Sequence, residues 1–508
     1  MRLFMITKTM SKAISGVILF TLIAKILGFL REVTLSYYFG ATGISDAYLI
    51  SQTIPGTLFQ FVGTGLTTCF IPIYYKLLNQ DGKNKANYFT NAIITLVLSF
   101  STAIILLIWI ITPTIVKLFA MGFNGDTLYY ACQFTRIGVL SLYFSTFIYV
   151  YNSYLQANNI FTPTAFAAIP NSIFIILSII LGSFFNIWIL SIGSTLAVGV
   201  QLLFLLYPIH KLRFHFQFNF NWKDDSVRKF FYLLGPVIIG VSVNELNTLV
   251  DRTIASQISV GGISSLTYAN SLIMLIQGGI VQPIATVCYP KITHYISIRD
   301  SKSAKNIVEQ TLNFTFALLI PLTLGLIVYK YIIVDSLFGR GAFDQKAIHM
   351  TANALFFYSF GIIFVGIREI LSRFYYSHSN TIIPVRNAIL GVINIIFNIV
   401  FSRFWGISGL ALATSLSAWI TAMLLWWGCD KHLKSGGLSI DIRDLLKVFF
   451  ASLISIVIPA WFILDIYVSN VIKLLMAIPL SIIIYFVLGV FFRIQLFKIA
   501  YGMIIRRK

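Results

Sequence analysis

The sequence predicts an all-α polytopic membrane protein: fourteen transmembrane helices, twelve of them in two six-helix lobes and two appended at the C-terminal end. Three observations predict it. Hydrophobic residues make up 58% of the 508 and charged residues 11%, where a soluble domain carries about a quarter charged. The apolar residues gather in uniform runs of about 20, the length that crosses a hydrocarbon core. A long stretch of the chain also repeats at a fixed offset.

In chain order the runs fall near 13–31, 44–75, 88–118, 127–155, 160–182, 186–209, 230–257, 263–290, 308–335, 347–376, 381–402, 406–429, 446–466 and 470–496. Helices are the expected form, because in lipid only helices and closed barrels satisfy their backbone groups. Barrel strands would be about 10 residues long and alternating. The second, third, fourth and tenth runs are longer than a span needs and should tilt or project. The first run follows basic residues, as a signal peptide would. Lys25 interrupts it and no small-residue cleavage site follows, so it reads as a span. The four cysteines (Cys69, Cys132, Cys288, Cys429) show no metal-ligand spacing and support neither a disulfide framework nor a zinc site.

The net charge of +20 does not point to nucleic acid. The excess lies in short loops on one side of the expected membrane, with Lys76, Lys83, Lys85, Lys211, Arg213, Lys223, Arg228 and Lys229 among its carriers. The opposite loops carry little beyond Arg340 and Lys346, offset by Asp335 and Asp344. This asymmetry predicts a multi-pass membrane protein with both termini cytoplasmic.

The repeat aligns "REVTLSYYFGATGISDAY" from Arg31 with "RTIASQISVGGISSLTY" from Arg252, and Pro163 with Pro384, both at an offset of 221. Spans 1–6 and 7–12 thus read as two copies of one unit, related by an axis along the membrane normal. Transporters built this way hold cargo between the halves and rock one against the other. The expected organisation is 1–229 for the N-terminal lobe and its basic loop, 230–445 for the C-terminal lobe and linker, and 446–508 for the last two spans and tail.

Several runs carry charges well inside them, and each costs roughly 2.5–3.5 kcal/mol at a bilayer centre. Lys25, Arg31, Asp46, Arg136, Arg252 and Arg368 are the candidates for a polar chamber that takes an anionic cargo. Bland readings stand beside this one. Lys25 and Arg31 could snorkel to the interface. Asp46 could cap a helix or partner Arg31. Asp251 beside Arg252 could be a static pair or a cation or proton site. Arg368 and Glu369 diverge on a helix and do not simply pair. "LFGRGAFD" (337–344) reads as an outer loop with stapling charges.

The stretch "AKILGFLREVTLSYYFGATGISDAYLISQTIPG" (24–56) resembles the start of the MurJ (MviN) family. "GPVIIGVSV" (235–243), "ATVCYPKI" (285–292), the 337–344 loop and "GISGLALATSLS" (406–417) extend the resemblance over nearly the whole chain. It implies a lipid II flippase in the superfamily of MATE exporters and polysaccharide flippases. The implied cargo is undecaprenyl pyrophosphate carrying a peptidoglycan precursor, moved by alternating access during cell-wall synthesis. The implied partners are that lipid-linked substrate, membrane lipids and cell-wall synthesis proteins. Spans 13 and 14 would form a groove for the lipid tail. Arg31 and Asp46 match family positions, and Lys25 stands where Arg is common. Phe59, Gln60 and Ser271 stand where many members carry cavity arginines. A sodium-binding member further implies a cation site from Asp251, Asn394, Asn398, the carbonyl of Leu410 and Thr414. Asn394 and Asn398 share a helix face, and could equally be packing glue between helices.

The departures at Phe59 and Ser271 keep a flippase for another polyprenyl-linked oligosaccharide in view; an ion-coupled exporter of the MATE type is a more distant alternative. Enzymatic readings find little support. No Walker A, His-Glu metal motif or nucleophile elbow is present, and no cofactor motif appears. The Asp224–Asp225 pair lies in a basic loop and reads as a cap for span 7.

Overall fold

The computed structural model describes residues 2–378, 391–432, 437–494 and 497, without the side chains of 2–15, 61–62, 67, 239–244 and 430–432. Helix stands over each predicted span. The first is α1 (Arg2–Phe39). The second is α2 (Gly43–Gly65), a π turn (Leu66–Phe70) and α3 (Ile71–Gln80), and the third is α4 (Gly82–Phe119). The fourth is a bent pair, α5 (Gly125–Gly138) and α6 (Ser141–Ala157), meeting at 45°. α7 (Thr162–Phe166) with α8 (Ala168–Phe184), then α9 (Trp188–Lys211) and α10 (Asp225–Ile258), cover the fifth to seventh. The eighth joins α11 (Gly262–Ile276), a π turn (Gln277–Val281) and α12 (Gln282–Ser297). α13 (Ser301–Val328) with α14 (Lys330–Phe338), then α15 (Gln345–Ser377), follow. α16 (Val392–Trp405) covers the described part of the eleventh span, and α17 (Ile407–His432), α18 (Ile442–Leu464) and α19 (Asn470–Phe491) complete the chain. No strand occurs among the described residues. Ten of these helices are long and apolar enough to cross a membrane, or eleven if the bent pair counts as one span.

Prolines and hydroxyls shape the long helices. Pro113 lies inside α4, and Ile111 just before it leaves helical geometry (φ −108°, ψ 26°). A proline there removes one helical hydrogen bond and pushes on the preceding turn. The Thr112 hydroxyl donates to the Ile108 carbonyl at 2.5 Å and also lies 3.2 Å from the Trp109 carbonyl, the group that Pro113 leaves without its helical donor. Such back-bonding keeps polar groups satisfied where water is absent.

The chain forms two compact units, Met1–Ser264 and Ser265–Lys508. In the first, small residues let α8 and α9 approach: a Cβ at Gly193 would collide with Ser178. The first unit also takes in α10, which the repeat counts with the second copy. The physical reason is at the helix's far end. The Thr253 hydroxyl donates to the Leu118 carbonyl at 2.8 Å, and the Gly122 amide donates to the Ser256 hydroxyl at 3.0 Å. The two copies share one backbone device, since Gly40 (φ 62°) and Gly261 (φ 80°), 221 residues apart, both turn through the left-handed region that glycine enters at little cost. The second sequence match, at Pro384, lies outside the described residues.

In the second unit, α15 and α17 pack through Gly361 and Ser415, whose hydroxyl donates to the Phe357 carbonyl at 2.7 Å. The appended helices are bonded onto this unit by side chains. The hydroxyl of Tyr329 reaches the Ile456 carbonyl (3.0 Å), that of Tyr485 reaches the Ala317 carbonyl (2.7 Å), and Asn470 donates to Asp335 (2.6 Å). Val448 and Ala451 of α18 join a core with Leu312 and Ile320 of α13. The 337–344 loop behaves as its sequence predicts: Gly341 turns at φ 64° and Asp344 caps α15 through the Ala347 amide at 2.8 Å.

Candidate functional site in the first unit

Five of the six predicted substrate residues lie in the first unit, and four of them sit on α1, α2 and α10. Asp46 is in the first turn of α2 and is 1% exposed. Its Oδ2 accepts the Gly261 amide at 2.8 Å, and its Oδ1 accepts both the amide and the hydroxyl of Ser264 at 2.7 Å. These donors offset the cost of taking a carboxylate out of water. The turn it holds comes very close, because a Cβ at Gly261 would run into the Ala41 carbonyl. Arg252, near the end of α10, acts on Asp46 electrostatically and donates to the Ile263 carbonyl at 3.4 Å. Neither of the two bland readings of Asp46, the cap and the partner of Arg31, describes this arrangement. Its carboxylate binds the α10–α11 turn, with Arg252 as the nearby cation.

Arg31 has a different carboxylate. Its Nε and Nη2 both donate to Glu32 Oε1, at 3.2 and 2.8 Å. Glu32 keeps only 8% of its side-chain surface while Arg31 keeps 38%. The arginine is therefore held on one side and open on the other, with N–H donors left over from the five it carries. Tyr48 lies in the field of both charges and hydrogen-bonds with Ser194 of α9, which also accepts from Gln52 at 2.9 Å. Sequence reasoning missed Glu32, Tyr48 and Gln52. Glu32 had a signal, being a second charge next to Arg31 in an apolar run. Tyr48 and Gln52 had none, because their polar role depends on a serine 142 residues away from Gln52.

The other predicted residues are placed as follows. Lys25 is half-buried on α1. Arg136, in the last turn of α5, donates to the Thr112 hydroxyl at 3.4 Å, and its carbonyl accepts the Trp109 indole at 2.9 Å. The kink at Pro113 thus supplies the surface that seats Arg136. Arg368 belongs to the second unit, half-buried on α15, while its neighbour Glu369 reaches Arg373 at 4.0 Å. Phe59 is buried against Tyr149 with ring centroids 5.8 Å apart, and the Ser271 hydroxyl donates to the Tyr268 carbonyl at 2.7 Å. Both positions are filled by local packing.

Of the predicted cation ligands, Asp251 is half-buried on α10 in the first unit. The other four lie in the second, on the packed pair α16 and α17. The Asn398 amide donates to Asn394 Oδ1 at 2.7 Å, and the Thr414 hydroxyl donates to the Leu410 carbonyl at 3.1 Å. Both asparagines are buried. These are hard oxygen donors on adjoining helices, a set that suits a small hard cation. Asp224, outside the spans, caps α10: its Oδ1 accepts the Ser226 amide at 2.8 Å and that of Val227 at 3.4 Å, and Lys85 lies 3.2 Å from Oδ2. Burial opposes its charge, but Lys85 and these amides outweigh that and hold the carboxyl below its ordinary value.

Comparison with known proteins decides the family. The family model described as "Lipid II flippase MurJ" matches residues 35–491. The chain belongs to the MurJ family. It is 29% identical over 465 residues to a "Probable lipid II flippase MurJ" of Buchnera aphidicola subsp. Baizongia pistaciae, covering 88% of each chain. A MurJ relative so named in Aquifex aeolicus is 27% identical over 500 residues, with 96% of each covered. The solved structure titled "Lipid II flippase MurJ, inward closed conformation" superposes with a TM-score of 0.82 at 26% identity, over 94% of this chain and 99% of that one. A multidrug MATE transporter in an inward-facing conformation gives 0.68 at 12% identity, a likeness of fold alone. The all-α, multi-span architecture read from the sequence is that of MurJ, and MurJ proteins work in the bacterial cell membrane.

Proposed function

We propose that this MurJ-family chain is a carrier that moves lipid II from the inner to the outer leaflet of the cytoplasmic membrane by alternating access. The observation that carries the reading is the family match over residues 35–491. The first unit supplies suitable chemistry. Arg31 is anchored by Glu32 and keeps an open face, and an arginine fork suits a diphosphate in two-pronged fashion. Lys25, Arg136, Arg252 and Arg368 are the further cations of this reading. The tight junction of Asp46 with Gly261 and Ser264 would have to open for cargo to leave on that side.

On this reading all fourteen segments cross the membrane, both termini lie on the basic, cytoplasmic side, and α18 and α19 guide the lipid tail. Asn394, Asn398, Leu410 and Thr414 would hold a sodium ion, which when bound supplies a positive charge between α16 and α17. Phe59 and Ser271 favour one second reading, a flippase for another polyprenyl-linked oligosaccharide, since packed groups stand there in place of cavity cations.

The deciding experiment replaces the resident flippase of a depletion strain with this chain and follows lipid II sidedness. Restored growth and outward exposure are expected. Growth that fails while an oligosaccharide-export mutant is rescued would transfer the assignment to the second reading.

A further inference from the structure

An apolar cleft of about 480 Å³ opens in the first unit between α1, α7 and α9. Its wall includes Phe20, Phe166 and Phe204, with ring centroids 5.3 and 5.8 Å apart in that order. At Tyr207 it adjoins a second cavity of about 500 Å³, which reaches His210 and His215 beyond the end of the apolar part of α9. From Leu203 to His210 the helix rises about 10 Å, so the pair of cavities runs from hydrocarbon depth towards the basic side. At the far end the second cavity is lined by His210 and His215, and basic residues stand next to them in the chain. α9 finishes in His210 and Lys211, Arg213 follows, and Lys83 bonds the Leu212 carbonyl at 2.9 Å. Residues 187–223 contain no Asp or Glu. Each volume lies in the range of ligand sites, roughly 300–1,000 Å³, and basic pockets at helix ends are where anionic lipid headgroups settle.

We infer that this groove is a binding site for a phospholipid with an anionic headgroup, its acyl chain in the cleft lined by Phe20, Phe166 and Phe204 and its phosphate at the basic end of α9. The occupant is a lipid of the surrounding leaflet. Lys211 and Arg213 form no ion pair among the described residues, which favours an anionic headgroup over a neutral one, and the apolar cleft excludes a water-soluble phosphate. The site is separate from Arg31 and Asp46 and does not depend on the identity of the transported cargo.

The full-length protein in nanodiscs of equal phosphatidylglycerol and phosphatidylcholine is extracted into mild detergent, and the lipid it keeps is measured by mass spectrometry. The expected result is retention of phosphatidylglycerol over phosphatidylcholine. Lys211→Glu should cut that retention by at least about fivefold, the factor expected from losing the one cation alone. Thr162→Trp, which fills the cleft, should abolish it. Should Thr162→Trp fail to fold, the exposed Lys211→Glu carries the test alone. Equal retention of the two lipids, or retention unchanged in Lys211→Glu, overturns the site. Displacement of phosphatidylglycerol by undecaprenyl phosphate at equal concentration also overturns it, by giving the cleft to the prenyl tail.

Discussion

Asp46 and Ser264, 218 residues apart, are joined by two hydrogen bonds to a single carboxylate oxygen, both 2.7 Å long. One comes from the Ser264 backbone and one from its side chain, so the two can be separated by mutation. Asp46→Ala leaves the amides of Gly261 and Ser264 buried without an acceptor, and stability should fall by roughly 1–3 kcal/mol. Ser264→Ala keeps the amide bond and should cost about 1 kcal/mol. Thermal unfolding in detergent measures both; equal losses would contradict the separate role of the amides.

Gly40 and Gly261 offer a matched comparison. Both have positive φ, so alanine at either should cost about 1–2 kcal/mol for the left-handed conformation. At Gly261 the new methyl also meets the Ala41 carbonyl. Gly261→Ala should therefore cost more than the conformational penalty alone, read by unfolding midpoint and by yield of folded protein.

Asp224 makes a pH prediction. Its carboxyl is held below the ordinary value by Lys85 and two amides against the opposing effect of burial. A depressed native value means the stabilisation is complete above the unfolded-state value near 4, and is lost as pH falls through the native value below it. Asp224→Ala should cost about 1 kcal/mol of helix capping at neutral pH. The gap between wild type and variant should close on acidification. A gap that stays constant down to strong acid would refute the assignment.

Arg31 and Glu32 separate stability from transport. Arg31 keeps more than a third of its surface, so the ion pair is partly screened and should contribute no more than about 1 kcal/mol. Arg31→Lys keeps the charge but loses the fork. It should lower lipid II exposure in the depletion strain while the unfolding midpoint moves little. A large fall in the midpoint with normal exposure would make Arg31 a packing residue.

The paired asparagines test the cation site. Sodium should raise the unfolding midpoint more than potassium, and Asn394→Ala should erase that difference. If the two salts act alike on the unmodified protein, no selective site exists at Asn394 and Asn398.

Much of the architecture is a one-dimensional property. A bilayer demands long apolar helices, so uniform runs of about 20 residues locate them, and the offset between Arg31 and Arg252 exposes the duplication without coordinates. Capping is equally local: Asp224 and Asp344 bond amides two or three residues ahead, so their roles follow from sequence neighbours. Partnership across the fold is different. That Asp46 takes the Gly261–Ser264 turn, and that Thr112 at a proline kink seats Arg136, depends on which helix faces turn together. Composition determined that charges are buried in this membrane protein. Only the tertiary structure decided their partners, because a buried charge needs a donor or counter-charge within about 3 Å and chain separation says nothing about that distance.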